Sequence, residues 1–324
     1  MKIAFFGTPD FASKILKSIN QKNEIILVIS GPDRRQGRGN KLVSTNVSIT
    51  AKKLSIPLIN PENLKERKFI SILNNLNVDL FIVVAFRYLP KSVWSIPKLG
   101  TINLHTSYLP EYRGAAPINR VLMNGENYTG VSTFIINENI DCGDIIERKK
   151  IKINNNTTCG KLYNKLILEG SNILETTIQS IKKNELNLKH QIKKSTTYAP
   201  KISKEITKID WKLSLDKVHN LIRSLSPVIS EKEMHQKNPI MPGAWFNLIN
   251  FNQKFRVKIL LSKLEKKSYT SNLNVETDNK KFMKINAEDN SLYILKLQIS
   301  GKKIMNISEF LSGFKIDSNC KLEI

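Results

Sequence analysis

The chain has 324 residues, of which 51 are lysine or arginine and 28 are aspartate or glutamate, so its formal net charge is +23. This length predicts two domains, and the excess of basic residues favours a polyanionic partner such as a nucleic acid. The sequence lacks an apolar run of roughly 18 residues, a secretory signal segment and a C-x-x-C pair among Cys142, Cys159 and Cys320, which argues against a membrane or disulfide-rich secreted protein and predicts a cytoplasmic one without a metal.

The first 110 residues alternate apolar, strand-like runs with segments of helical spacing. Strands are predicted at 2–6, 24–29, 56–59 and 79–85, and helices are predicted after Gly7 and at 47–54 and 62–76. This βαβ alternation predicts an α/β domain with a doubly wound, mostly parallel sheet. The turn after the first strand contains Gly7 alone and not the G-x-G-x-x-G pattern, which disfavours a nicotinamide or flavin cofactor.

A polar pair then ends an apolar strand. Asn103 and His105 are two residues apart, so their side chains leave the same face of an extended segment. A loop with two prolines follows, and residues 101–150 carry 5 basic and 6 acidic groups although the rest of the chain is strongly basic. Because ligands of open α/β sheets bind outside the carboxyl ends of the strands, these features predict a substrate site here.

The remainder of the chain predicts a second domain. After strands at 130–136 and 144–153 and a long amphipathic helix at 161–183, the polar, lysine-rich residues 188–207 are predicted to be a linker. We therefore expect a catalytic domain at 1–187 and a second domain at 208–324. A helix at 215–225 and five short strand-like segments at 244–248, 255–264, 281–285, 291–297 and 315–322 predict a small, OB-like β-barrel there.

A carboxylate could complete the polar pair. Asp141 and Asp144 flank a glycine between two predicted strands, where a turn could carry a carboxylate into the same cleft. An ordinary turn uses the same residue types, and a core histidine satisfied by the backbone is the alternative for His105. An amide, an imidazole and a carboxylate without a serine or cysteine nucleophile fit acyl transfer from a carrier to an amine.

Five blocks, FFGTPDFA, PDRRQGRGNKL, NLH…LPEYRGAAPINR with IDCGD, YAPKISKEITKIDW and LQISGKKIMNISEFL, resemble the folate-dependent formyltransferase family in the same order. The resemblance implies a Rossmann-like formyltransferase domain followed by an OB-like domain that binds tRNA. It further implies that 10-formyltetrahydrofolate is the formyl donor. The implied acceptor is the α-amino group of methionine esterified to initiator tRNA, so that the product would serve translation initiation.

The same resemblance assigns site residues by position. Asn103, His105 and Asp141 match the family's catalytic amide, imidazole and carboxylate. The folate is expected near the Asp141 turn and against a loop that is one residue shorter than the usual family loop, with three further contacts after His105: Phe86, Arg87, Tyr88, Leu89, Pro90, Ser107, Leu109 and Pro110. The tRNA is expected on a basic loop, which could also be an ordinary solvated surface, and on later lysines: Arg34, Arg35, Arg38, Lys41, Lys201, Lys204, Lys302 and Lys303.

Two alternatives remain open at this point. One is a formyltransferase of the same family that acts on a ribonucleotide amine or an amino sugar nucleotide, and the other is a tRNA-binding protein that has lost catalysis. The 30 basic and 16 acidic residues at 151–324 favour tRNA over a small acceptor, and all three catalytic positions are intact. We expect a monomer that does not bind membranes. The stretch at 228–243 is longer than its counterpart in the family, and the sequence assigns no role to it.

Overall fold

The computed structural model describes residues 1–36, 40–192, 196–230, 232–235, 238–266, 273–287 and 290–324. The strands are β1 (Ile3–Gly7), β2 (Ile25–Ile29), β3 (Arg34–Gln36), β4 (Lys41–Val43), β5 (Leu58–Ile59), β6 (Leu80–Val84), β7 (Thr101–His105), β8 (Tyr128–Ile135), β9 (Ile145–Lys152), β10 (Ala244–Asn250), β11 (Gln253–Lys266), β12 (Asn274–Thr277), β13 (Met283–Ala287), β14 (Asn290–Ile299), β15 (Met305–Asn306) and β16 (Lys321–Leu322). The helices are α1 (Asp10–Ile19), α2 (Asn46–Lys53), α3 (Arg67–Asn75), α4 (Lys91–Trp94), α5 (Pro117–Met123), α6 (Cys159–Lys183), α7 (Leu215–Ser224) and α8 (Ile307–Gly313), and a 3₁₀ turn covers Glu205–Thr207.

Contacts divide the chain into two compact units whose segments interleave along the sequence. The first unit comprises Met1–Gly114, Thr129–Ile151 and Lys165–Tyr198, and the second comprises Ala115–Tyr128, Lys152–Asn164 and Ala199–Ile324. The domain limits expected from the sequence, 1–187, 188–207 and 208–324, stay a prediction.

The first unit is built on a sheet with the order β5-β2-β1-β6-β7-β8-β9. Strands β1 and β6 are buried along their whole length, as expected of central parallel strands covered on both faces. From β1 the chain builds outward to β5, and it then returns to β6 on the other side of β1, so the strand order reverses between these two strands. Strand β7 runs parallel to β6 and antiparallel to β8. The predicted doubly wound, mostly parallel α/β sheet is therefore confirmed.

The second unit contains an antiparallel sheet with the order β12-β13-β14-β11-β10-β16, and β15 pairs with β14. The first and last strands of this order, β12 and β16, contact each other, so the sheet nearly closes into a barrel. Its core is apolar and contains Trp211 edge-on to Phe246, with ring centroids 5.1 Å apart. The predicted C-terminal β-barrel is confirmed.

One predicted strand of the barrel is wrong over most of its length. Of residues 315–322, only Lys321 and Leu322 form a strand, β16. The residues before it bond instead to asparagine side chains, because the Asn250 amide donates to the Lys315 carbonyl at 2.9 Å and the Asn279 amide donates to the Ile316 carbonyl at 3.0 Å. These side chains satisfy backbone groups that a neighbouring strand would otherwise bond. The sequence analysis also missed β12.

Among the residues that the structure describes, no helix combines the length and the apolar character needed to cross a membrane.

Candidate active site

The polar pair lies where the doubly wound sheet places ligands, at the carboxyl end of β7. Asn103 is half-buried, and His105, the last residue of the strand, is buried with 7 % of its surface exposed. Val83 of β6 stands beside Asn103, and Ser132 of β8 stands opposite His105. Within the described part of the chain, the Asn103 amide makes no side-chain hydrogen bond, so its donors are available to a ligand.

Two neighbours hold the His105 imidazole from opposite sides. Its Nε2 lies 2.9 Å from the Tyr112 carbonyl oxygen, and its Nδ1 lies 3.8 Å from Oδ2 of Asp141. A carbonyl oxygen can only accept, so Nε2 carries the hydrogen of this bond. The other nitrogen, Nδ1, is therefore the one that can give or take a proton, and it faces a carboxylate at ion-pair distance.

The turn that carries Asp141 is held in a specific shape. Asp141 has a left-handed backbone with φ of 54°, which aspartate tolerates better than most residues, and its Oδ2 accepts a hydrogen bond of 2.9 Å from the Gly114 amide. Two residues later, a Cβ on Gly143 would lie 1.6 Å from the Ile135 carbonyl oxygen. The turn thus packs against β8 so closely that only glycine fits, and this contact brings the carboxylate toward His105.

The loop after β7 presents the backbone groups that bind both side chains. Tyr112 has φ of 59°, a costly conformation for an aromatic residue and one that clusters at functional sites. Its amide donates to the Thr197 carbonyl at 2.6 Å, while its own carbonyl accepts from His105. The loop is further anchored by Ser107, whose hydroxyl donates to the Glu111 carbonyl at 2.5 Å.

The sequence analysis missed two buried polar residues behind this loop and turn. Arg113 is 6 % exposed and Gln191 is 4 % exposed. The Arg113 guanidinium donates to the Gln191 side-chain oxygen, and the Gln191 side-chain nitrogen donates to the Asp141 and Gly143 carbonyls. Arg113 lies in the loop between two prolines that the sequence analysis associated with the site, so its position gave a signal. Gln191 lies in a polar segment that contains no motif, so nothing in the sequence points to it.

The residues expected to contact folate differ in their environments. Tyr88 is 63 % exposed, Phe86 packs edge-on against Phe6 with ring centroids 5.7 Å apart, and Leu89 and Pro90 are buried. The Arg87 guanidinium donates to the Glu62 carbonyl at 2.7 Å and to the Pro61 carbonyl, which anchors the shortened loop.

Three further residues of that set lie on the loop after β7. The side chains of Ser107 and Leu109 are fully buried, and Pro110 is half-buried. Ser107 and Leu109 therefore expose neither side chain nor backbone at this point of the loop. Their assignment to a folate site stays a prediction.

An ion pair joins the two loops that flank the site. Nζ of Lys91, the first residue of α4, lies 2.6 Å from Oε1 of Glu138, which belongs to the loop that leads into the Asp141 turn. Both side chains are exposed. Such pairs contribute little to stability, but this one links the residue after the predicted folate loop to the segment that leads into the Asp141 turn.

Three of the predicted tRNA contacts lie on an exposed β-hairpin, here called the basic hairpin, which is formed by β3 and β4. Arg34, Arg35 and Lys41 are exposed on it, and Arg35 pairs with Leu42 across the two strands. The Arg35 guanidinium donates to the Asn40 carbonyl at 3.4 Å. Arg38, the fourth predicted contact on this segment, lies outside the described residues.

The predicted contacts of the second unit are surface lysines. Lys201, Lys204, Lys302 and Lys303 are all exposed. Nζ of Lys303 lies 2.5 Å from Oε1 of Glu309, so its charge is partly balanced. The assignment of these lysines to tRNA stays a prediction, as does that of the basic hairpin.

In the parts of the chain that the structure describes, no group of three or more histidine, cysteine, aspartate or glutamate side chains could hold a metal ion. The groups gathered at the end of β7 are an amide, an imidazole and a carboxylate. This set can stabilise an oxyanion and move a proton.

Comparison with known proteins gives matches along nearly the whole chain. The family model described as formyl transferase matches residues 1–178, and the model of the formyl transferase C-terminal domain matches residues 201–315. A methionyl-tRNA formyltransferase of Flavobacterium johnsoniae is 38% identical over 324 residues, which cover 99% of each chain. One of Bacteroides fragilis is 36% identical over 334 residues, which cover 100% of this chain and 98% of the relative.

A solved structure shares the fold at lower identity. The N-formyltransferase from Helicobacter canadensis, in complex with folinic acid and dTDP-3-aminofucose, superposes with a TM-score of 0.62 at 21% identity. The match covers 91% of this chain and 98% of that one.

Proposed function

This chain belongs to the formyl transferase family, and we propose that it transfers a formyl group from 10-formyltetrahydrofolate to the α-amino group of methionyl initiator tRNA. The observation that carries the proposal is the similarity to methionyl-tRNA formyltransferases over 99% of the chain, which includes the C-terminal domain. The N-formyltransferase from Helicobacter canadensis superposes at 21% identity and supports the fold alone. The basic excess at 151–324, 30 against 16 residues, suits a polyanionic acceptor.

In the proposed reaction, the unprotonated amine attacks the formyl carbon and the formyl oxygen becomes an oxyanion. The Asn103 amide donates a hydrogen bond to this oxygen, and protonated Nδ1 of His105 is the second donor. Nε2 cannot take this role while it donates to the Tyr112 carbonyl. Both donors come from one face of β7, so they reach the same side of the reacting carbon.

The proton balance assigns a role to Asp141. A carbon–nitrogen bond forms to the amine, the bond to N10 of the folate breaks, the amine loses a proton and N10 gains one. We propose that Asp141 stabilises the protonated imidazole, whose Nδ1 is 3.8 Å away, and that it accepts the amine proton through water and returns it by the same route to N10, so that the protein ends in its starting protonation state. The Gly114 amide, which donates to Oδ2 of Asp141 at 2.9 Å, holds this carboxylate in place.

The substrate contacts follow the same proposal. The folate would lie between the 86–90 loop and the Asp141 turn, and the acceptor end of the tRNA would reach the site past the basic hairpin. Arginines suit that hairpin because they form bidentate bonds to phosphates and stack on unpaired bases. We also propose that the chain acts as a monomer in the cytoplasm, which light scattering of the purified protein and cell fractionation would test.

A competition of acceptors tests the proposed function. The protein is incubated with 10-formyltetrahydrofolate and, in parallel, with methionyl initiator tRNA, free methionine or a dTDP-linked amino sugar. We expect formylation of the methionyl-tRNA at a kcat/KM at least 100-fold above that of either small amine. A preference for the amino sugar would overturn the proposal, and binding of tRNA without turnover would indicate that catalysis has been lost.

A further inference from the structure

Lys189 and Thr197, on either side of Gln191 in the sequence, bond to the two parts of the chain that surround His105: the start of β9 after the Asp141 turn, and the loop after β7. The Lys189 backbone exchanges hydrogen bonds of 2.8 and 2.9 Å with Ile145, just after the Asp141 turn. The Thr197 carbonyl accepts from the Tyr112 amide at 2.6 Å, and the Thr197 amide donates to a Glu111 carboxylate oxygen at 2.8 Å. Lys189 is therefore attached to the start of β9, just after the Asp141 turn, and Thr197 is attached to the loop after β7.

Gln191 connects these two attachments through its side chain. Its nitrogen donates to the Asp141 carbonyl at 3.1 Å and to the Gly143 carbonyl at 2.7 Å, while its oxygen accepts from Nε and Nη2 of Arg113 at 3.1 and 2.6 Å. The Gln191 amide therefore uses both of its donor hydrogens and its oxygen in these bonds, and the residue is only 4 % exposed. Arg113 follows Tyr112, whose carbonyl binds His105, so the chain of bonds runs from one side of the imidazole to the other.

We infer that Gln191 is a positioning residue for the reaction, which holds the Asp141 turn at a fixed distance from His105 through the Asp141 and Gly143 carbonyls. The inference rests on the proposed function, because that function gives His105 and Asp141 their roles in the reaction. Buried polar networks in which every group is bonded define one geometry, and a displacement of about 1 Å at a reacting centre can reduce the rate by roughly 10²-fold. Neither Gln191 nor Arg113 touches a reacting atom in this account.

The decisive variant is Gln191→Met, which keeps the size of the side chain and removes all four hydrogen bonds. We expect kcat, normalised to the concentration of folded protein, to fall roughly 10- to 100-fold while the KM values for donor and tRNA change less than threefold. A purely structural role would lower the melting temperature and leave the kcat of the folded fraction unchanged. The matched control is Ile192→Ala, because Ile192 is the next residue and is 66 % exposed; we expect its kcat to stay within twofold.

A second measurement needs no substrate. Cys142 lies between Asp141 and Gly143 and is half-buried, whereas Cys159 is fully buried and burial raises the pKa of its thiol. In a Cys320→Ser background, the rate at which a thiol reagent modifies Cys142 therefore reports how accessible the turn is. We expect Gln191→Met to raise this rate at least fivefold and Ile192→Ala to leave it within twofold.

The outcomes separate the two proposals. If the parent protein does not formylate methionyl-tRNA, the proposed function fails, but the Cys142 rate still tests the role of Gln191 in the turn. If the parent is active and Gln191→Met changes neither kcat nor the Cys142 rate by more than twofold, the inference is wrong and the proposed function stands. Should Gln191→Met not fold, Arg113→Lys replaces it, because a lysine cannot bind the Gln191 oxygen through two nitrogens; a kcat within twofold of the parent would then overturn the inference.

Discussion

His105 and Arg34 both carry basic groups in the first unit, but their surroundings differ. The His105 ring is buried, bonded to a carbonyl through one nitrogen and held 3.8 Å from a carboxylate through the other. Arg34 is exposed on the basic hairpin. A buried polar group depends on the exact placement of a few partners, whereas exposed charges act over a Debye length and are screened by salt. Substitutions around His105 should therefore change turnover, and substitutions in the basic hairpin should change the affinity for tRNA and its salt dependence.

The largest effect on turnover is expected from a substitution of the buried His105. In the proposed mechanism, His105→Ala removes one of the two donors to the oxyanion and the imidazolium that Asp141 stabilises. We expect single-turnover formylation to slow roughly 10²- to 10⁴-fold, while the affinity for tRNA stays within a few-fold. Quench-flow measurements and filter binding give the two quantities. A variant that formylates at nearly the parent rate would remove His105 from the mechanism.

Gly143→Ala tests the shape of the turn without touching a catalytic side chain. The new Cβ would lie 1.6 Å from the Ile135 carbonyl oxygen, so the turn must move away from β8. We expect a loss of about 3 kcal/mol in the free energy of unfolding, together with a fall in kcat. Denaturant titration measures the first quantity. The control is Gly313→Ala, where no atom lies within 4 Å of the added Cβ, and unchanged stability in both variants would contradict the close packing described here.

Replacing both Arg34 and Arg35 by alanine tests the role of the exposed basic hairpin in binding tRNA. We expect the KM for tRNA to rise roughly 5- to 20-fold with little change in kcat, and the dependence of log KM on log salt to weaken by roughly one to two units. Steady-state kinetics at several salt concentrations measures both. Arg67→Ala changes another exposed arginine of the same unit and serves as the control. An equal effect of that control would show that net charge, and not the hairpin, attracts the tRNA.

The smallest effect is expected from a surface carboxylate of the second unit. Hydrogen bonds from Lys254 and Asn247 lower the pKa of Glu323 from 4.5 to about 2. A carboxylate whose pKa is lowered by folding stabilises the fold above its ordinary pKa, and this contribution is lost as the pH falls toward 2. We expect Glu323→Gln to lower the melting temperature by about 1 °C at pH 7, with the difference shrinking between pH 4.5 and pH 2. A difference that grows on acidification would contradict this assignment.

Much of the fold is predictable because its signals are local. The buried runs of β1 and β6 and the helical spacing of Phe11, Ile15 and Ile19 predict the parallel sheet, and the alternation of β10, β11, β13 and β14 predicts the barrel. The strand expected at 315–322 is wrong over most of its length because the side chains of Asn250 and Asn279, which are distant in the sequence, bond that backbone. A pattern within the segment cannot report partners that lie far away in the sequence.

The candidate site shows the same limit. Asn103 and His105 are predictable because their two-residue spacing is local, and the turn residues around Gly143 mark where a carboxylate could enter. The Tyr112 carbonyl and the Gly114 amide have no side-chain signal at all, although they bind His105 and Asp141. Gln191 is separated from Asp141 by 50 positions, and nothing in its polar neighbourhood distinguishes it from the other residues of that segment.

The attachments of Lys189, Gln191 and Thr197 also determine where the chain could be cut. The family model of the first domain matches residues 1–178, whereas the compact first unit extends to Tyr198. A fragment that ends at Ile178 would keep Asn103, His105 and Asp141 but would expose the Arg113 guanidinium and release the Asp141 turn. Minimal versions of this enzyme for screening donor-site inhibitors should therefore end no earlier than Tyr198.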